Sequence, residues 1–149
     1  MAKLTREEVE AKVKSGESLA GVDLCGLDLS YANLQGRNLR DAHLSKDLQG
    51  ANLEGADLRD ANLSGADLTD AHLGRADLQN ANLSGANLTD VHLGSAHLID
   101  ANLKDANLTG ANLNDTTMTG SDVTGIIGWD QAYVCDTVMP DGTDNYRDC

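Results

Sequence analysis

Residues 51–113 begin ANLEGADLRD ANLSGADLTD and continue in the same rhythm, with a leucine at every fifth position from Leu53 to Leu113. Two residues before each leucine stands alanine, from Ala51 to Ala111, with Val91 the single exception. The residue directly before each leucine is Asn, Asp or His, and the one two after it is Gly, Asp or Asn at most positions. A five-residue period matches neither the 3.6 of an α-helix nor the 2 of a simple strand. It matches a coil that turns a corner once per repeat. Leucine and the preceding alanine point inward, with an outward polar residue between them as in a very short strand. The Gly, Asp or Asn that follows supplies the tolerance of positive φ that a corner requires.

Working outward, the same rhythm runs back through Leu48, Leu44, Leu39, Leu34, Leu29, Leu24 and Leu19 and forward through Met118 and Val123, about twenty-two consecutive repeats. It breaks once. The unit Asp47-Leu48-Gln49-Gly50 has four residues, which puts Lys46 in the inward slot. Burying a lysine is expensive, so the backbone is expected to distort there and leave Lys46 in solvent. Arg37 holds the inward slot before Leu39, and Glu17 holds that slot one coil earlier, which predicts a structural Glu17–Arg37 pair.

Ahead of the repeats, Thr5 reads as a helix N-cap with Glu8 completing a capping box and Leu4 packing on Val9 as a hydrophobic staple. Gly16 is the expected stop. Residues 1–16 are therefore a capping helix, 17–125 the repeat coil, and 126–149 a C-terminal cap and tail. Ile126, Ile127, Trp129, Tyr133 and Val134 are the expected cover for the far end of the stack.

The chain has 149 residues, no Phe, one Trp, and a formal charge of −13. That charge argues against direct binding to nucleic acid or to an anionic membrane surface and leaves room for a protein partner with a basic surface. No apolar run is long enough to span a membrane, and the first residues lack a signal-peptide stretch, so a cytoplasmic location is expected. Three cysteines do not make a disulfide framework. Cys135 and Cys149 flank a loop able to bring their sulfurs together, and two free thiols is the alternative. Cys25 follows Leu24 and is read as a lone surface thiol.

The run Ala51-Asn52-Leu53-Glu54-Gly55-Ala56-Asp57-Leu58 and its continuation resembles the pentapeptide-repeat family over roughly residues 17–125. The resemblance implies an all-β solenoid, a right-handed quadrilateral β-helix with four repeats per coil and an N-terminal capping helix. Residues twenty apart would then stack at about 4.8 Å, giving a rod roughly 25 Å long in its repeat part. Outward ladders follow, one of Asn33, Asn52, His72, His92 and Asn112, the next of Asn38, Asp57, Asp77 and His97. Stacked imidazoles are candidate metal ligands, but these ladders supply no Cys or converging carboxylate shell, so no metal site, cofactor or catalytic group is expected. A core filled by Leu and Ala leaves no substrate cavity. The expected role is a monomeric, non-catalytic structural or interaction module. The alternative implied by the family is a DNA mimic acting on DNA gyrase, with Asp57, Asp60 and Asp77 as the residues to map. The tail from Cys135 to Cys149 resembles the ending of cyanobacterial members. With a signal segment removed, that implies a thylakoid-lumen or periplasmic location and a Cys135–Cys149 bracket.

Overall fold

The computed structural model describes residues 3–149. Helix α1, Arg6–Ser15, begins at Thr5, whose hydroxyl accepts from Glu8 N–H while the Glu8 carboxylate accepts from Thr5 N–H. Gly16 ends it in the left-handed conformation, at φ 77°, where a side chain would be strained. Val9 is fully buried against the first coil, with Leu4 and Val13 packed partly beside it.

From there the chain winds as a right-handed, four-sided β-helix. Its rungs are single parallel bridges between outward residues of successive coils, such as Asn52 to His72 and His72 to His92. Each leucine N–H donates to the coil above, as Leu53 does to His72 O at 2.7 Å, and His72 N–H donates back to Ala51 O at 2.9 Å. The bond from Ala56 N–H to Leu53 O, 3.0 Å, closes the corner. The residue two after each leucine from Leu48 to Leu113 takes positive φ, whether it is Gly or not: Asp60, Asp70, Asn80 and Asp90 all lie at φ 54–60°. Asx side chains tolerate that region, which is why Asp and Asn share the corners from residue 55 to 115 with Gly; Arg75 and Ser95 are the exceptions. All leucines from Leu53 to Leu113, and all the inward residues from Ala51 to Ala111, are at most 1% exposed.

Two irregularities interrupt the winding, and both fall at corners. At the four-residue unit, Lys46 N–H bonds to Leu44 O, two residues back rather than three. Bridges that join residues twenty apart elsewhere join residues nineteen apart here, as in Asn33 to Asn52 and His43 to Asn62. The Lys46 carbonyl still accepts from Asp67 N–H at 2.8 Å, while its exposed side chain turns out and donates from Nζ to Gly26 O at 3.4 Å. A tightened corner absorbs the missing residue, and the ladder keeps its register.

The second irregularity adds a residue. A 3-10 turn at Trp129–Gln131, entered through Gly128 at φ 78°, lengthens one corner. Bridges beyond it are twenty-one apart, Asn112 to Tyr133 and Thr117 to Val138. The ladder therefore runs past residue 125, where the sequence signature stops. Ile127, Tyr133 and Val138 stand in the outward slot that Asn or Asp holds elsewhere, so the backbone path continues without the usual side chains. For the same reason Ile127 and Tyr133 do not cover the end of the core: they are 59% and 57% exposed. Val134 is buried, Ile126 and Trp129 partly so. A short antiparallel hairpin of β1 (Thr137–Val138) and β2 (Asp144–Asn145) finishes the chain.

Candidate functional site

Every leucine is flanked by two outward residues, one before and one after, so each face of the rod carries two parallel rows of side chains. The first face stacks Asn38, Asp57, Asp77 and His97. The second stacks Asp23, His43, Asn62 and Asn82, the third Asp28, Asp47, Asp67, Asn87 and Asn107, and the fourth Asn33, Asn52, His72, His92 and Asn112. The Asx residues do more than face solvent. Asn62 Oδ1 accepts from Ser64 N–H at 3.1 Å and Asn52 Oδ1 from Glu54 N–H at 3.0 Å. Each thus satisfies a backbone donor that points away from the ladder.

On the third face this pattern interlocks between coils. Thr69 Oγ1 donates to Asp67 Oδ1 at 2.6 Å, Asn87 Nδ2 to Thr69 Oγ1 at 2.9 Å, and Thr89 Oγ1 to Asn87 Oδ1 at 2.7 Å. Asn107 Nδ2 then donates to Thr89 Oγ1 at 3.2 Å, and Thr109 Oγ1 to Asn107 Oδ1 at 2.6 Å. The array spans three coils. One edge is acidic, with Asp70 and Asp90. Ile127 stands one coil above its upper end, and Tyr31, 73% exposed, two coils below its lower end.

The expected Glu17–Arg37 pair does not form. Glu17 is held by Lys12 Nζ at 2.7 Å and Ser15 Oγ at 2.9 Å, and these bonds keep its carboxyl below the usual range. Arg37 instead donates from Nη1 to Val13 O at 3.5 Å, a carbonyl in the last turns of α1, where the helix dipole favours a cation. Glu17 lies next to the helix end in the chain, so short-range partners reach it before the stacked arginine does.

On the first face Arg59 clamps Asp57 through Nε at 2.8 Å and Nη2 at 2.6 Å, and its Nε lies 3.6 Å from Asp77. The clamp lowers the Asp57 pKa and raises that of Arg59. Arg40 reaches Asp60 at 3.2 Å. The three carboxylates a DNA mimic would display are thus each engaged by an arginine.

On the fourth face the His72 and His92 rings stack with centroids 4.8 Å apart. On the second, Asp23, Cys25 and His43 come together, with their ligand atoms all within 4.8 Å of one another. Cys25 is half-buried, and its Sγ lies 3.0 Å from Ser45 Oγ. At the tail the structure bonds Cys135 to Cys149, with Cα atoms 4.8 Å apart. Asp148 accepts from Val134 N–H at 2.9 Å beside that bond, which lowers its pKa.

A family profile of pentapeptide repeats, in eight copies, matches residues 18–45, 47–85 and 86–125. The chain belongs to the pentapeptide-repeat family. The match lapses at Lys46, where the corner is short. Among solved pentapeptide-repeat proteins, Rfr23 from the cyanobacterium Cyanothece 51142 is 38% identical at a TM-score of 0.56, over 64% of this chain and 63% of that one. The chain thus spans less than two thirds of that relative's length. A protein of the Arabidopsis thaliana thylakoid lumen is 37% identical over 70% of each chain at a TM-score of 0.47. HetL of Nostoc, involved in heterocyst differentiation regulation, is 32% identical over 87% of this chain and 73% of that one at 0.35. No curated protein matches.

In this pentapeptide-repeat coil the sequence reading missed the Asp23–Cys25–His43 group and the Thr–Asn array. Both were within reach of one rule. Adding twenty to Asp23 lands on His43, and adding twenty to Asn87 and Thr89 lands on Asn107 and Thr109.

Proposed function

We propose that the chain is a monomeric, non-catalytic docking module that presents its third face to a protein partner with a basic rim. The observation that carries this reading is the hydrogen-bonded Thr–Asn array from Asp67 to Thr109. Its side chains are already ordered, so docking costs little of the entropy that mobile surface groups lose. Tyr31 and Ile127 supply apolar contacts beyond either end, the kind of anchor that concentrates binding energy. Asp70 and Asp90 along the edge favour a cationic partner. The Cys135–Cys149 bond supports an oxidising compartment, such as a lumen or periplasm, over the cytoplasm.

The test is affinity capture with the native chain, Thr89→Arg on the third face and Ser84→Arg on the second. The reading expects a partner retained by the native chain and Ser84→Arg and lost with Thr89→Arg. Equal retention by all three would overturn it. The DNA-mimic alternative rests on the charge of −13. The engagement of Asp57, Asp60 and Asp77 by arginines weighs against it. A gyrase supercoiling assay is expected to show no inhibition at low micromolar protein, and inhibition there would reinstate the mimic.

A further inference from the structure

The second face repeats one square of outward side chains up the rod: two from one coil, two from the coil above. In the middle of the face the squares are uniform and neutral, Asn62 and Ser64 below Asn82 and Ser84. In the first square all three of Asp23, Cys25 and His43 depart from that pattern, and each departure introduces a metal-ligand type. The fourth corner is Ser45. The fold fixes this meeting, since Leu24 N–H donates to His43 O at 2.9 Å and His43 N–H to Val22 O at 3.0 Å.

We propose that Asp23, Cys25 and His43 form a binding site for a divalent transition ion of the zinc class. One carboxylate oxygen, the thiolate and one imidazole nitrogen are its ligands, with water in the fourth position. Tetrahedral zinc geometry places such ligand atoms roughly 3.4–3.6 Å apart. These lie within 4.8 Å of one another, so closure needs only small rotations of surface side chains. Asp23 is pre-oriented, because its Oδ1 accepts from Cys25 N–H at 2.9 Å and leaves Oδ2 for the metal. Ser45 Oγ, 3.0 Å from Sγ, is placed to donate to the thiolate, the outer-shell support that ligands of this kind use. Binding releases the Cys25 thiol proton to solvent. A dication with one thiolate, one carboxylate and a neutral imidazole leaves the site without net charge, on a rod that is otherwise strongly acidic. A single soft sulfur beside nitrogen and oxygen favours zinc or cobalt over magnesium or calcium.

The probe is Co(II), titrated into the full chain with the Cys135–Cys149 bond intact and no reductant. The expected result is a near-ultraviolet thiolate-to-cobalt absorbance that saturates at one equivalent and is displaced by Zn(II). Cys25→Ser should abolish the band. His43→Asn and Asp23→Asn should weaken binding at least about 10-fold, while His92→Asn should leave it unchanged. The three site variants bring in residue types that the same face already carries at Asn62, Ser64 and Asn82, so the coil is expected to form in each; far-ultraviolet circular dichroism checks this. Absence of a thiolate band in the native chain would overturn the proposal. So would His43→Asn and Asp23→Asn variants that bind cobalt as tightly as the native chain, which would leave an adventitious thiol only.

Discussion

The first coils and the middle of the rod follow one winding rule under different constraints. From Ala51 to Ala111 the inward slot is at most 1% exposed and holds nothing larger than Val91. In residues 17–48 the same slot holds Glu17, Val22, Leu27, Arg37 and Lys46 as well as Ala32 and Ala42. Glu17 and Lys46 are exposed there, and Val22, Leu27 and Arg37 only partly buried. A slot pressed between two coils accepts alanine because the backbones above and below close over it. A slot in the lowest coil has a helix or solvent beneath it. In the second coil Arg37 still reaches the helix at Val13 O while the short corner turns Lys46 outward, so long side chains find room to leave. The alanine of the repeat therefore reports stacking on both sides, and its loss marks an end of the stack or a strained corner.

Five substitutions test that contrast. The largest expected effect is Leu78→Ala in the middle of the rod, at about 2–5 kcal/mol from denaturant unfolding, because neighbours above and below cannot collapse into the cavity. Next is Ala76→Leu, which overpacks a closed slot and should cost about 1–3 kcal/mol, whereas Val22→Leu in the open first coil should cost well under that. An equal penalty at the two sites would break the comparison. Thr5→Ala removes the cap of α1 and should cost about 1 kcal/mol, with the loss confined to the helix and first coil in hydrogen exchange. The smallest effect concerns Asp57. Its folded pKa is depressed by Arg59, so its contribution is present above the ordinary carboxylate range near pH 4 and fades as pH falls through the folded value. For a pair this exposed it amounts to no more than about 1 kcal/mol. Thermal unfolding between pH 6 and pH 2 should show a slightly shallower acid decline for Arg59→Gln than for the native chain.

Much of this architecture was legible because its determinants are local or strictly periodic. Thr5 and Glu8 sit three residues apart and announce their cap, and Leu53 to Leu113 announce the coil. What escaped depended on competition or on loss of signature. Glu17 was matched to Arg37 by register, yet Lys12 and Ser15 stood closer. The coil beyond residue 125 went unread because Gly128 replaces the central leucine and Ile127 and Tyr133 replace the polar outward residue. Asp23, Cys25 and His43 were each visible, but only the stacking of one coil on the next brings them together. The Asx bonds, such as Asn62 to Ser64 N–H, were hidden because an outward Asn reads as solvent-facing whether or not it caps a backbone donor.

Hydrogen exchange by NMR on the native chain tests the central claim, a single unbroken ladder that carries its register across the short corner at Lys46. The account predicts slow exchange of Leu44, Leu48 and Leu53 N–H, which bond to Asn62 O, Asp67 O and His72 O at 2.7–2.8 Å. Their protection should approach that of Leu78 and Leu83 in the middle of the rod. Rapid exchange of Leu44 and Leu48 beside a protected Leu78 would contradict it, since the coil would then begin only after the break.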